Sequence, residues 1–369
     1  MRERVNGVRN VTMRRRITVK QIADKAGLSV ATVDRVLNGR RNVSRETALR
    51  VQSATEALGY QPAAPLVVGS VQEPVRGAVL LQREASPFYQ HLAEALRQAR
   101  PSVPGRGVEL TIEFIADYLE PTKVAEQMCS LGERTDVLAV VATDSPYTSE
   151  AIDALSGRHV PVVALLSDLS APNLAGYVGI NNRIAGRTAA WAIVRCAGRP
   201  AGSVGVLMGS HGYLGQEDRE IGFRSYFREK SLGFKVLEPI VCGDDPEVAY
   251  KEACKLITGA EDLVGLYSVG GGNSGTIRAL EEHLISTKPA FVCHELVPPQ
   301  RGGLIRGTID VVLAADLPQL ARSTLDLFVE LKDTPHPQKH IVPVPCDIYT
   351  SENVLESSEN VLGSNVADD

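Results

Sequence analysis

The chain has 369 residues, 44% of them hydrophobic and 22% charged, the composition of an ordinary soluble protein with enough material for a small module plus one large or two medium domains. Its net charge of −5 hides a split: residues 1 to 62 hold 13 Lys and Arg against 5 Asp and Glu, a surplus of +8, while the remainder holds 26 against 39, or −13. The six cysteines are scattered without a CxxC pair or a Cys/His cluster, so neither a zinc site nor a disulfide framework is suggested, and no stretch approaches the roughly 18 to 20 apolar residues of a membrane span.

A basic end on an acidic body is the footprint of a nucleic-acid module, although charge alone would also allow a solvated basic tail. With no apolar signal core at the N-terminus, the protein is expected in the cytoplasm with reduced thiols, no cofactor and no metal. Residues 1 to 16 lack apolar periodicity and end in three arginines; they read as a disordered arm, or as sequence upstream of a true start at Met13.

From Thr18 the pattern changes. Thr18-Val19-Lys20-Gln21 has capping-box spacing, and Val19, Ile22, Ala23 and Ala26 fall at helical intervals. Gly27 can end that helix with a positive φ, and Ser29 suits the N-cap of a second. There Val33, Val36 and Leu37 would face a core, turning Val30, Ala31, Asp34, Arg35 and Asn38 outward. Gly39 stops the second helix and Ser44 caps a third, with Ala48, Val51, Thr55 and Leu58 inward. Helix, tight turn and helix within about twenty residues make a helix-turn-helix.

The run ITVKQIADKAGLSVATVDRVLNGRRNVS, followed by ALGYQP, resembles the DNA-binding domain of the lactose/galactose repressor family over nearly all of residues 17 to 62. The resemblance implies a regulator that binds double-stranded, palindromic operator DNA as a homodimer or tetramer. It places Ser29, Val30, Ala31, Thr32 and Arg35 in the major groove, with Thr18, Ser29 and Asn38 near the phosphates, positions that capping and helix termination explain equally well. Arg35 is the expected base reader, since a guanidinium can donate twice to guanine; Val30 and Ala31 offer only apolar contact to thymine methyls. Two departures stand out. Asp34 replaces the usual small hydroxyl, and within 63 to 75 the run AAPLVVGS puts Gly69 where the family's hinge helix has an intercalating leucine, leaving Leu66 as a substitute wedge.

From Gly77 strands alternate with helices: GAVLLQ, PFYQHLAEALRQA, VELTIEFI, VAEQMCSL, DVLAVVAT, SEAIDAL and VPVVALL. The rhythm restarts at SVGVLMG and continues through FRSYFREK, KVLEPIV, VAYKEACKLI, LVGLYSV, GTIRALEEHL, AFVCHE and RGTIDVVLA. Two similar halves with βαβ rhythm imply two lobes built on parallel sheets, with a ligand cleft at the carboxyl ends of their strands. Residues 76 to 350 resemble the periplasmic-binding-protein-like effector domain of the same family. The expected architecture is therefore an all-α headpiece plus a two-lobed α/β domain, with 351 to 369 as an acidic tail.

By that resemblance Phe88 and Tyr89, after the first strand, stack on a sugar ring, or else staple a helix start. Asp144 accepts from ligand hydroxyls, or caps a helix. Asn181 and Asn182 lie near the lobe junction, or shape a turn. Arg219 reaches the effector across the cleft. Asn273 follows three glycines that blur its register. His294-Glu295 replaces a Phe-Asp-like pair, and Asp316 lies near the hinge. The set suits a sugar or polyol, and its three carboxylates would also suit an amine. A cytoplasmic enzyme or a solute-binding protein acting on a small polar metabolite is the alternative, but no nucleophile elbow, metal triad or dinucleotide fingerprint is present.

Overall fold

The computed structural model describes residues 17–38, 45–60, 73–102, 106–116, 120–230, 233–283, 288–334 and 338–354. The N-terminal arm, Gly39 to Ser44, the hinge run 61–72 and the tail from 355 lie outside them. The chain divides into two compact units, one ending at Pro74 and the other beginning at Val75.

The first unit holds α1 (Val19–Ala26), α2 (Val30–Leu37) and α3 (Arg45–Leu58). Thr18 forms the expected reciprocal box: its backbone N–H donates to Gln21 Oε1 at 2.9 Å and its hydroxyl accepts from the Gln21 N–H at 3.4 Å. Such caps contribute about 1 kcal/mol. Gly27 takes φ 64°, and Ser29 starts α2 by accepting from the Thr32 N–H at 3.1 Å. Ile22, Ala23, Ala26, Val33 and Val36 close on Val51 and Ala54 of α3. Arg50 reaches back from α3 and donates to the carbonyls of Ala26 and Gly27, satisfying acceptors the end of α1 leaves open.

In the second unit the chain first builds one lobe from β1 (Val75–Leu81), α4 (Pro87–Gln98), β2 (Val108–Phe114), α5 (Pro121–Gly132), β3 (Val137–Val140), α6 (Pro146–Gly157), β4 (Val162–Leu165) and β5 (Gly176–Gly179). It crosses into the other lobe as α7 (Asn182–Cys196), β6 (Ala201–Met208), α8 (Leu214–Lys230), β7 (Gly233–Val236), β8 (Ile240–Val241), α9 (Pro246–Gly259), β9 (Leu263–Ser268), α10 (Asn273–Glu282), β10 (Ala290–His294), α11 (Pro298–Ile305) and β11 (Val311–Ala315). It then returns through α12 (Leu317–Lys332) and β12 (His340–Pro343) to the first sheet, and ends with β13 (Cys346–Tyr349) on the second. The sheets run β12-β5-β4-β3-β1-β2 and β13-β11-β10-β9-β6-β7, with β8 also on β6. Central strands β1, β3 and β4 are buried almost throughout, as strands covered by helices on both faces must be.

Five features differ from the sequence reading. The lobes are not consecutive halves, because α12 packs on β1, β3 and β5 and β12 pairs with β5. The second sheet is not wholly parallel: β13 runs antiparallel to β11. KVLEPIV makes two short strands instead of one, since Pro239 has no N–H to give a ladder. Finally, α11 was hidden by its composition: Pro298 and Pro299 occupy a first turn, where a missing N–H leaves no bond unmade. The expected tail also begins later than 351, because Val354 is fully buried.

Candidate functional site

A cavity of about 400 Å³ lies where the carboxyl ends of both sheets face each other. It includes Phe88, Tyr89, Arg219, Asn273, His294 and Glu295 in its lining. The helix-start alternative for the aromatic pair is compatible with this, since Pro87 begins α4 and Phe88 and Tyr89 meet edge to face at 5.1 Å.

Asp144 and Asp316 are not among the lining residues. Ser145 takes the N-cap of α6, and the Asp144 carboxylate turns instead onto Ser170, accepting from its N–H at 2.9 Å and its hydroxyl at 3.1 Å. Asp316 caps α12, accepting from the Gln319 N–H at 2.9 Å. Asn181 similarly caps α7 through the Ile184 N–H. The lining instead gains Gln82, Arg83, Tyr213, Gln216 and Asp244. Gln82 and Arg83 directly follow β1, so the rule that residues just past strands matter would have found them.

Several bonds tie the lobes across the cavity. Tyr213 donates its hydroxyl to Gln82 Oε1 at 2.6 Å, Arg83 Nη1 donates to the Asp244 carbonyl at 2.9 Å, and the Gly215 N–H donates to Ser167 Oγ at 3.0 Å.

Arg219 is set by the crossing of α7 and α8. A Cβ on Gly186 would lie 1.9 Å from the Arg219 carbonyl oxygen, and one on Gly222 would lie 2.1 Å from that of Arg183, so only glycines permit this approach. The buried guanidinium donates from Nε to Asn182 Oδ1 at 2.8 Å and from Nη1 to the Val269 carbonyl at 2.8 Å, with Nη2 3.8 Å from Glu295 Oε1. Asn182, itself buried, donates to the Leu166 carbonyl and the Tyr177 hydroxyl, both at 3.1 Å, so it carries Arg219 as well as shaping the junction.

Burial holds His294 well below the usual imidazole range, so the ring is neutral; its Nε2 meets the Tyr267 hydroxyl at 2.8 Å. Burial also pushes Glu295 up to about 7, against the opposing pull of Arg219. An acid whose folded value is raised binds its proton more tightly when folded, so this group's contribution falls as pH rises from its unfolded value through about 7. Glu295→Gln is therefore expected to gain on the wild type between pH 5 and pH 8, by on the order of 3 kcal/mol. Urea unfolding of both proteins at the two pH values measures this; an unchanged difference would show that Glu295 is not held protonated.

In the headpiece, Ser29, Val30, Ala31, Arg35 and Asn38 are exposed and Thr32 is half-buried, so the α2 face expected to read DNA is free of the core. Thr18 is exposed and Asp34 half-buried. Asn38 donates its amide to the Asp34 carbonyl at 3.0 Å and carboxylate at 2.9 Å, giving Asp34 a partner within the helix. Among the described residues no group of three or more His, Cys, Asp or Glu could hold a metal ion, and no helix is long and apolar enough to cross a membrane.

A family model for bacterial regulatory proteins of the lacI family matches residues 18–63, and one for a periplasmic binding protein domain matches residues 77–334. The ribose operon repressor of Bacillus subtilis is 27% identical over 307 residues, 82% of each chain. The HTH-type transcriptional repressor PurR of Haemophilus influenzae is 24% identical over 243 residues, covering 65% of this chain and 69% of that one. With PurR of Edwardsiella ictaluri the identity is 29% over 149 residues, and the match spans only 42% of that relative. Among solved structures, GanP, a glucose-galactose binding protein from Geobacillus stearothermophilus, superposes with a TM-score of 0.67 at 15% identity, over 76% of this chain and 99% of that one. A solute binding protein from Bacillus halodurans with bound myo-inositol gives 0.66 at 15%, over 78% and 98%. Headpiece, two-lobed body and matches over both agree: the chain belongs to the lacI family of bacterial regulatory proteins, with a periplasmic binding protein domain behind its helix-turn-helix.

Proposed function

We infer that the protein is a transcriptional repressor whose helix-turn-helix binds operator DNA with an affinity set by a sugar or polyol held between the lobes. Two copies on a palindrome would double the few base contacts one headpiece can make. The observation that carries this reading is the cavity at the strand ends, with aromatic rings on one side and the Arg219–Glu295 pair on the other, in one chain with an exposed recognition helix. Relatives named as repressors, one of a ribose operon, and a structural neighbour with bound myo-inositol support it. The recognition helix favours a regulator over an enzyme or a solute-binding protein on the same scaffold.

The test is selection from a random-sequence duplex pool, followed by anisotropy of the selected duplex against a sugar and polyol panel. At least one compound is expected to change operator affinity 5- to 150-fold, the usual range of coupling. Failure to enrich any sequence would contradict the regulator; enrichment without a response to any compound would contradict the effector. Phe88→Ala is expected to weaken effector affinity about 10-fold while leaving DNA affinity unchanged, because an aromatic contact contributes roughly 1 kcal/mol beyond its area. Anisotropy with and without effector measures both quantities.

A further inference from the structure

The middle of the α2 reading face carries a carboxylate, although that face has to approach a polyanion. At about 100° per residue from Val30, the outward residues Asp34, Asn38, Ala31 and Arg35 fall at roughly 40°, 80°, 100° and 140°, while the buried Val33 and Val36 fall at roughly 300° and 240°. Asp34 and Asn38 therefore lie between Val30 and Arg35, on the side opposite the core.

The hydrogen bonds of the pair fix what it presents. Asn38 Nδ2 has two protons and directs both to Asp34, one to the carbonyl at 3.0 Å and one to carboxylate Oδ1 at 2.9 Å. The amide cannot be turned round, because its oxygen would then face two acceptors. Asn38 Oδ1 and Asp34 Oδ2 are left for an incoming donor, and neither is among the buried atoms without a partner. Among the described residues no Lys or Arg forms an ion pair with Asp34. The centre of the face thus offers acceptors alone, with the Arg35 donor beside it.

Phosphate oxygens are themselves acceptors, so the backbone suits neither group: it repels the carboxylate, and Asn38 could donate to it only by releasing Asp34. Among base edges in the major groove, guanine shows two acceptors, thymine an acceptor and a methyl group, and adenine a donor beside an acceptor. Cytosine shows only the N4 amino donor. We propose that Asp34 is a specificity-determining residue whose carboxylate accepts from the N4 amino group of a cytosine, fixing a G·C pair in each half-site independently of Arg35. Asn38 is the positioning residue that holds the carboxylate in place. The inference rests on the operator-binding reading above.

The test repeats the selection from random duplex with the full chain and its Asp34→Ala and Asp34→Asn variants. Anisotropy then follows each protein on every single-pair substitution of the wild-type half-site. In the wild type one cytosine is expected to be preferred over each alternative by about 10-fold, within the usual cost of a mismatched pair, and Asp34→Ala should flatten that position alone to less than about 3-fold. The same variant should bind random duplex at least as tightly as the wild type, since it lacks an anion near the phosphates. Asp34→Asn, which keeps the shape of the side chain, should lose the cytosine and favour adenine, whose N6 and N7 pair with an amide. Variants that keep the wild-type preference at every position overturn the inference and leave Asp34 a group that only repels phosphate. Preference lost evenly at all positions also overturns it, making Asp34 a support for α2. If the wild type enriches no sequence, the regulator reading fails, and this inference falls with it.

Discussion

Replacing Gly186 by Ala is expected to lower stability by about 3 kcal/mol and effector affinity by at least 10-fold, although in an ordinary exposed helix the same change would stabilise by about 1 kcal/mol. The opposite sign follows from what the new methyl group meets. At 1.9 Å from the Arg219 carbonyl oxygen and 2.7 Å from its carbonyl carbon, it meets backbone, which cannot rotate aside as a side chain would. The helices must separate, and Gly222 against Arg183 shows that the contact is tight from the other side too. Separation moves the backbone that carries Arg219, stretching the 2.8 Å bonds to Asn182 and Val269 and leaving buried polar groups poorly paired. Urea unfolding and calorimetric titration with the bound sugar measure the two effects, and DNA affinity without effector serves as the control. A stable variant with wild-type effector affinity would show that α7 and α8 can shift without disturbing the site.

The headpiece was legible because its signals are local. Thr18 with Gln21, Gly27 and Ser29 act within three or four residues of where they sit, and the 3.6-residue period separates Val33 and Val36 from Arg35. The strands were legible for a similar reason, as apolar runs between turns. What the sequence hid depends on distant partners. Whether Asp144 turns to a ligand or to Ser170 depends on a residue 26 positions away, and Asp316 was both near the hinge and a plain N-cap. Asn182 reads equally as a residue of the lobe junction or as turn chemistry, and nothing local shows that its amide oxygen supports Arg219 37 positions on. The return of α12 to the first lobe is also invisible to periodicity, because a helix with one apolar face fits either sheet.

Binding of the full chain to its selected duplex is expected to weaken by about 10³ or more between 50 and 200 mM salt, because neutralising several phosphates releases their counterions. The +8 surplus in residues 1 to 62 is the source of that attraction, and the −13 of the remainder opposes it, so the slope belongs to the headpiece. Against this background Arg35→Ala separates reading from anchoring. Arg35 is exposed on the free face of α2, one residue beyond Asp34, whose carboxylate is engaged by Asn38. If its guanidinium donates to a guanine edge, the variant should lose about 1 to 3 kcal/mol on the selected duplex, with little change on random duplex and none in the salt slope. If it holds a phosphate instead, both duplexes should weaken alike and the slope should fall by about one unit. Anisotropy with the two duplexes at four salt concentrations distinguishes these outcomes, and the second would transfer specificity to Val30, Ala31, Asp34 and the shape of the DNA.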